Sequence, residues 1–239
     1  MKKTLATLLV LAMATTFVAC GNSDDIGGEI KNQNTETESQ SAQDTSSEDN
    51  STTDTSSEGA TATLGTASGT VYESQFIGIG WAIPEDWIFA TKEQMDQLNA
   101  LVLDYVSDAM NVNLPEGSAV CDLYAFDAYG SNLNIQLEKL NAINAIMITE
   151  ASYCELALGL LEDSYTSMGY TDITLEKTTV KVGDVEHSGI SATCTYSGVK
   201  VYQKVAFIKQ GEYMCVITSS SALEGTNDTV FSAFYSLEK

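Results

Sequence analysis

Two stretches in the last forty residues constrain the fold more than anything else in the chain. Val205-Ala-Phe-Ile208 and Met214-Cys-Val-Ile217 are apolar at every position, without alternation. A strand with one wet face alternates apolar and polar residues, whereas a strand without alternation is covered on both sides. Gln210-Gly211 links the two runs, and Gly183-Asp184 and Ser197-Gly198 punctuate the residues before them. Two-residue links containing glycine join antiparallel neighbours. The pattern predicts a meander over Ile173–Val182, Gly189–Tyr196, Val199–Lys209 and Glu212–Ser219.

Cover for both faces has to come from the rest of the chain. Thr91-Lys-Glu-Gln94 has the form of a capping box, and Met95, Leu98, Val102, Tyr105 and Val106 then share one face. This predicts a helix over about 92–110. Thr149 is the N-cap expected for a second helix, with Cys154, Ala157, Leu158, Leu161, Tyr165 and Met168 apolar and Gly169 as its stop. A third is expected over Asn227 to Leu237, with Val230, Phe231, Phe234 and Leu237 as its buried stripe. Further strands are read at Thr70–Glu73 and along Phe76-Ile-Gly-Ile-Gly-Trp-Ala-Ile83, which Pro84 ends. Another pair, Ala119–Phe126 and Asn132–Leu137, closes as a hairpin through Asp127-Ala-Tyr-Gly130, after the break at Pro115-Glu-Gly117. The economical architecture is α+β: one antiparallel sheet of about six to seven strands with helices on both faces, a three-layer α/β/α sandwich.

The N-terminus reads as an address. Met1-Lys2-Lys3 is a positive n-region, and Leu5 to Val18 is an apolar h-region too short to span a bilayer. It runs into Phe17-Val18-Ala19-Cys20-Gly21, which resembles the lipobox of bacterial lipoprotein signal peptides, although Phe17 stands where an aliphatic residue is usual. The resemblance implies cleavage before Cys20 and lipidation of its thiol. From Asn22 to about Gly65 the chain is dominated by Ser, Thr, Asn, Gln, Asp and Glu, a composition that cannot bury enough apolar area to offset its entropy. The expected organisation is a signal peptide over 1–19, a lipidated Cys20 with a disordered acidic tether over 20–68, and a single domain over 69–239. The expected location is the outer side of the cell membrane, lipid-anchored and surface exposed.

Charge narrows the partners. The chain has 33 acids against 11 bases, a formal charge of −22, and every base is lysine. Nucleic acid requires clustered cations, so it is not expected as a partner. Docking to an anionic lipid surface by charge is equally disfavoured.

The order strand–corner–helix–hairpin–helix–meander–helix resembles the PsbP-like superfamily. The residues that carry the resemblance are Gly78-Ile-Gly-Trp81-Ala-Ile-Pro-Glu-Asp-Trp87, Val201-Tyr-Gln-Lys-Val-Ala-Phe207 with Tyr213-Met-Cys-Val-Ile-Thr218, and Phe231-Ser-Ala-Phe-Tyr-Ser-Leu237. That group includes the extrinsic photosystem II subunit, a Ran-binding import factor and many bacterial lipoproteins. The resemblance implies a domain that binds other macromolecules or assists assembly, and it carries no shared catalytic set.

No residue pattern points firmly to chemistry. His187, the sole histidine, lies beside Glu186, with Cys194 the nearest nucleophile in sequence; a surface histidine in a polar turn accounts for it better than a general base does, since no triad partners surround it. Cys121, Cys154, Cys194 and Cys215 remain after the anchor. Each lies in an apolar run where cysteine packs as a small hydrophobe, and the alternative is two disulfides with three possible connectivities. Neither zinc nor calcium spacing is present, so no metal or cofactor is expected. Asp104 with Asp108, and Glu162-Asp163, read as solvated helix faces. Trp81 and Trp87 either stack a sugar ring or close a core, and their average burial favours the core. The expectation is therefore a non-enzymatic interaction or assembly module whose partner is an extracytoplasmic protein or a surface polymer. The alternative is a small hydrolase, or a receptor for a ligand or carbohydrate, with a cleft of carboxylates and tyrosines.

Overall fold

The structure, a computed structural model, describes residues 62–100 and 119–238. The expected signal peptide, Cys20, nearly all of the tether, Asp104, Asp108 and the continuation of the first helix past residue 100 lie outside the described residues. Within them the chain forms β1 (Thr66–Ser68), β2 (Val71–Ser74), β3 (Ile79–Ala82), β4 (Trp87–Phe89), α1 (92–100), β5 (Ala119–Asp127) and β6 (Asn132–Lys139). There follow α2 (Ala142–Met147), α3 (Glu150–Ser167), β7 (Thr171–Val182), β8 (Val185–Tyr196), β9 (Val199–Gln210), β10 (Tyr213–Ser221), α4 (Thr226–Ser232) and β11 (Phe234–Ser236). The class is α+β.

The large sheet has seven strands in the order β4-β5-β6-β10-β9-β8-β7. The meander is present as four consecutive strands, each antiparallel to the next. Ser197 and Gly198 both take positive φ, 48° and 81°, which is the turn chemistry a two-residue hairpin link demands. The unalternating runs now have a cause. Val205 and Phe207 face α3 together with Met214 and Val216, while Ala206 and Ile208 face the opposite core together with Cys215 and Ile217. Neither face of these two runs meets water.

On one side α3 lays Tyr153, Cys154, Ala157, Leu161 and Tyr165 over Ile190, Ala192 and Cys194 of β8 and the residues just named. Its start is a capping box between Thr149 and Ser152, and it ends two residues before Gly169. The other side differs in make-up from the sequence expectation. A second antiparallel sheet, β1-β2-β3-β11, shares that layer with α4. The third helix does not run to Leu237: it stops at Ser232, and Phe234–Ser236 pairs with β3 through Phe234↔Trp81 and Tyr235↔Gly80. Gly80 admits this strand, because a Cβ there would occupy the ring of Tyr235. The fully buried Trp81 donates its indole N–H to the Val230 carbonyl at 3.0 Å, tying β3 to α4. Trp87 and Phe89 stand edge-on to its ring. Both tryptophans belong to a core.

β1 and Gly65 add a link that composition did not reveal. β1 pairs with β2, and the Gly65 N–H and the Tyr72 hydroxyl both donate to the Asp122 carboxylate, at 2.8 and 2.7 Å. Asp122 belongs to β5, so this carboxylate joins the small sheet to the large one. The capping box of α1 is formed, with Gln94 accepting from the Thr91 N–H and Thr91 Oγ accepting from the Gln94 N–H. Asn99 of the same helix exchanges two hydrogen bonds with the backbone of Cys121, just where the β5–β6 register shifts.

Candidate functional site

β6 reads Asn132-Leu-Asn-Ile-Gln-Leu-Glu138, an alternation that ordinarily marks one dry and one wet face. Its apolar half, Leu133, Ile135 and Leu137, fills the core on the small-sheet side. The polar half is buried as well, because β6 lies between β5 and β10 inside the sheet and its polar side chains share the face that α3 covers further along. Register places their neighbours. Across β10, Asn132 lies opposite Ser220, Asn134 opposite Thr218, Gln136 opposite Val216 and Glu138 opposite Met214. Across β9, Ser220 lies opposite Gln203. The result is a polar strip along β6 that widens at one end over β10 and β9.

Two tyrosines of α3 tie down the ends of this strip. Tyr153 donates its hydroxyl to the Glu138 carboxylate, and Tyr165 donates to Gln203 Oε1. Burial pushes the Glu138 carboxyl up to about 7, against the lowering effect of the Tyr153 hydrogen bond. Between these ties, polar atoms stand without partners among the described residues: the amide N and O of Asn132 and Gln136, the amide N of Gln203, and the hydroxyls of Thr218 and Ser220. None of these five residues is more than 2% exposed. Leaving such a group unsatisfied costs about 1–3 kcal/mol. Native proteins answer that cost with ordered water or a ligand. Among the described residues, every buried side-chain N or O that lacks a partner lies in this strip.

Aromatic rings border it on the β5 side. Tyr124 lies opposite Asn134 and Phe126 opposite Asn132, with ring centroids 5.7 Å apart. In that outermost row the sheet runs Ile88, Phe126, Asn132, Ser220, Gln203. Ile88 is 57% exposed and Phe126 half-buried, so the face meets solvent at this corner.

The candidates read from sequence fall elsewhere. His187 Nδ1 stands 3.1 Å from both oxygens of Glu150, the first residue of α3. The β8–β9 pairing ends at Gly189↔Ala206, and Glu150 fills the gap beyond it by accepting the Lys209 N–H at 3.0 Å. Burial alone would raise the Glu150 carboxyl, but the hydrogen bonds from His187 and Lys209 N–H hold it below its ordinary value. This histidine orients a strand-end brace; Cys194, seven residues further on, is buried against α3. Cys121, Cys154, Cys194 and Cys215 are buried free thiols. β9 separates Cys194 from Cys215, and the two face opposite cores. Of the meander's tyrosines, Tyr213 is buried while Tyr196 and Tyr202 are half-buried. Glu162 and Asp163 are exposed on α3. Among the described residues, no three His, Cys, Asp or Glu side chains gather as a metal site.

A surface groove of about 440 Å³ lies between α4 and β7, with Val180, Phe231 and Phe234 at its base and Lys181, Asp184, Lys204 and Asp228 around it. Part of that charged rim is taken up by the Lys204–Asp228 ion pair. The strip differs from it in holding polar groups that are both buried and unpartnered. Sequence reasoning missed the strip, although carboxamides at every second position of β6 were the available signal.

No family model matches the chain, and no curated protein matches it significantly in sequence. Partial likenesses occur among solved structures. A Bacteroides thetaiotaomicron protein is 14% identical with a TM-score of 0.34, over 72% of this chain and 49% of that one, so the chain spans about half its length. LpqN of Mycobacterium tuberculosis, a protein involved in cell envelope biogenesis, is 13% identical with a TM-score of 0.33, over 67% of this chain and 83% of that one. No helix among the described residues is long and apolar enough to cross a membrane. The function of this chain is therefore read from its own residues.

Proposed function

We propose that the chain is a lipid-anchored, extracytoplasmic binding protein without chemistry of its own, and that it takes its ligand in the polar strip on β6, β10 and β9. The observation that carries this reading is the set of buried, unpartnered amides and hydroxyls of Asn132, Gln136, Gln203, Thr218 and Ser220. Anchoring rests on the lipobox-like Phe17–Cys20, and the acidic stretch from residue 20 to about residue 61, ahead of the ties made by Gly65 and β1, would supply reach from the membrane. A PsbP-like domain, of the kind that binds or assists assembly, accords with the same reading.

Hydrolysis fits the strip less well. Glu138 is its one carboxyl among the described residues, so the paired carboxylates of a glycosidase are not met there. The hydroxyls of Thr218 and Ser220 lie opposite Asn134 and Asn132, four and six residues along the strand from Glu138. At about 3.3 Å per residue that is roughly 13 and 20 Å, far outside the reach of a base on a nucleophile.

The decisive experiment separates a structural from a ligand-holding role. Amides kept for the fold stabilise it, whereas amides kept for a ligand burden the empty protein. Gln136→Met, which removes two unpartnered atoms at nearly constant volume, is expected to raise stability by about 1–2 kcal/mol in chemical denaturation. A loss of stability of that size would mean the amide serves the fold, and the reading fails.

A further inference from the structure

We infer that the outer edge of β7 is a peptide-binding site, separate from the strip, which takes an extended segment of another protein with basic residues on one face and apolar residues on the other. Among the described residues four strands stand at the edge of a sheet. β1, β4 and β11 have three residues each, whereas β7 has twelve. Sheets keep their edges short, covered or broken by proline, because an open edge invites another strand. β7 contains no proline, and from Thr174 to Val182 it pairs residue by residue with β8 alone. No other element among the described residues supplies that stretch with a backbone hydrogen bond. Alternate residues of such a strand turn their N–H and C=O outward.

Two grooves border this edge, one on each face of the sheet. The first, of about 370 Å³, is lined by Ile173 and Leu175 of β7, Leu158 and Gly159 of α3, and Glu155 and Glu162. The second is the groove of about 440 Å³ between α4 and β7, with Val180, Phe231 and Phe234 at its base. Ile173 and Leu175 pack with the α3 core, and Val180 belongs to the opposite one. A strand added to β7 would send successive side chains to opposite faces, one set toward each groove. The stretch from Ile173 to Lys181 is about 26 Å long at about 3.3 Å per residue, so roughly ten residues reach both grooves. Main-chain hydrogen bonds would hold such a segment, and the grooves would select its side chains.

Charge selects the occupant. Glu155 and Glu162 line the α3 groove, and Asp172 and Glu176 lie exposed on the strand beside it. The cation among them, Lys177, is already paired with Glu155 at 2.9 Å. A lysine or arginine of the added strand would lay its aliphatic stem on Leu158, Ile173 and Leu175 and bring its charge to Glu162. The α4 groove has an apolar base, and the Lys204–Asp228 pair on its rim leaves no excess of one sign there, so it suits an apolar side chain. The chain's own N-terminal stretch is acidic, and a second copy would bring another charge of −22. Both would be repelled from the α3 groove, which favours a basic segment of a different protein.

The test uses the full-length chain and a fluorescent peptide of about ten residues that alternates lysine with valine, with a glutamate–valine peptide beside it. Binding is read by fluorescence anisotropy, and the edge by backbone amide hydrogen exchange in NMR. The expected result is that the lysine peptide alone binds, and that it slows exchange at alternate amides between Thr174 and Val182. Gly159→Tyr sets a ring in the α3 groove from a position where a Cβ meets nothing within 4 Å. It and Glu162→Lys should each weaken binding about tenfold or more, with the fold confirmed by circular dichroism. Asp163→Lys, the same charge change outside the groove, should alter it by about twofold at most in physiological salt. No binding of the lysine peptide, equal binding of the glutamate peptide, or binding that leaves β7 exchange unchanged would overturn the proposal. So would equal losses in Glu162→Lys and Asp163→Lys, or full binding in Gly159→Tyr. Protection of the same amides that grows with protein concentration, and needs no peptide, would make a second copy the occupant and overturn it as well.

Discussion

Glu138 is the residue at which the strip becomes sensitive to acidity. An exposed glutamate titrates near 4.5, and burial raises this one to about 7. The folded chain therefore holds the proton more tightly than the unfolded chain. The associated stability is complete below about pH 4.5, is lost as pH rises from about 4.5 to about 7, and stays lost above that. The penalty at pH 8 is roughly 3 kcal/mol. Glu138→Gln keeps an acceptor for the Tyr153 hydroxyl and has no charge to bury. It is expected to match the parent near pH 4 and to exceed it by about 1–3 kcal/mol at pH 8, in urea denaturation at the two pH values. A variant less stable than the parent at pH 8 would contradict this account. The periodicity of β6 announced a strand, but not that its polar face would be covered. That depends on where the strand sits in the sheet, which alternation within one strand does not encode.

Among the elements, local signals were the legible ones. The capping box at Thr91, the N-cap at Thr149 and the turns at Gly183-Asp184 and Ser197-Gly198 each depend on residues within four positions of one another, and they formed where the sequence placed them. β11 was not legible. Phe231-Ser-Ala-Phe234 satisfies a helical stripe and a short strand alike, and the choice is made by β3, about 150 residues earlier in the chain. Gly80 shows how strong that choice is. Its missing Cβ leaves room for the Tyr235 ring, whose hydroxyl reaches Glu73 Oε1 at 3.0 Å. Gly80→Val is expected to cost about 1–3 kcal/mol by overpacking. Tyr235→Ala in the same chain should recover part of that loss in a double-mutant cycle. Additive effects would show that the contact does not set the position of β11.

At the scale of the molecule, the folded part has ties ahead of β2. Removing residues 1–61 is expected to leave the denaturation midpoint unchanged. Removing residues 1–69 also deletes β1 and the Gly65 N–H that Asp122 accepts, and should cost about 1–2 kcal/mol. Equal midpoints for the two truncated chains would show that β1 contributes nothing.

The register between β6 and β10 has a kinetic consequence. The hairpins of the meander close over a few residues, but Asn132 must find Ser220 across 88 positions. Contacts so distant in sequence form late, because loop closure must come before any gain from pairing. Asn132 and Gln136 reach Ser220, Thr218 and Gln203 only through that pairing. The order of events is then meander first, recognition surface last. Whatever occupies the surface arrives after the rate-limiting step, so it should slow unfolding while leaving the folding rate as it was.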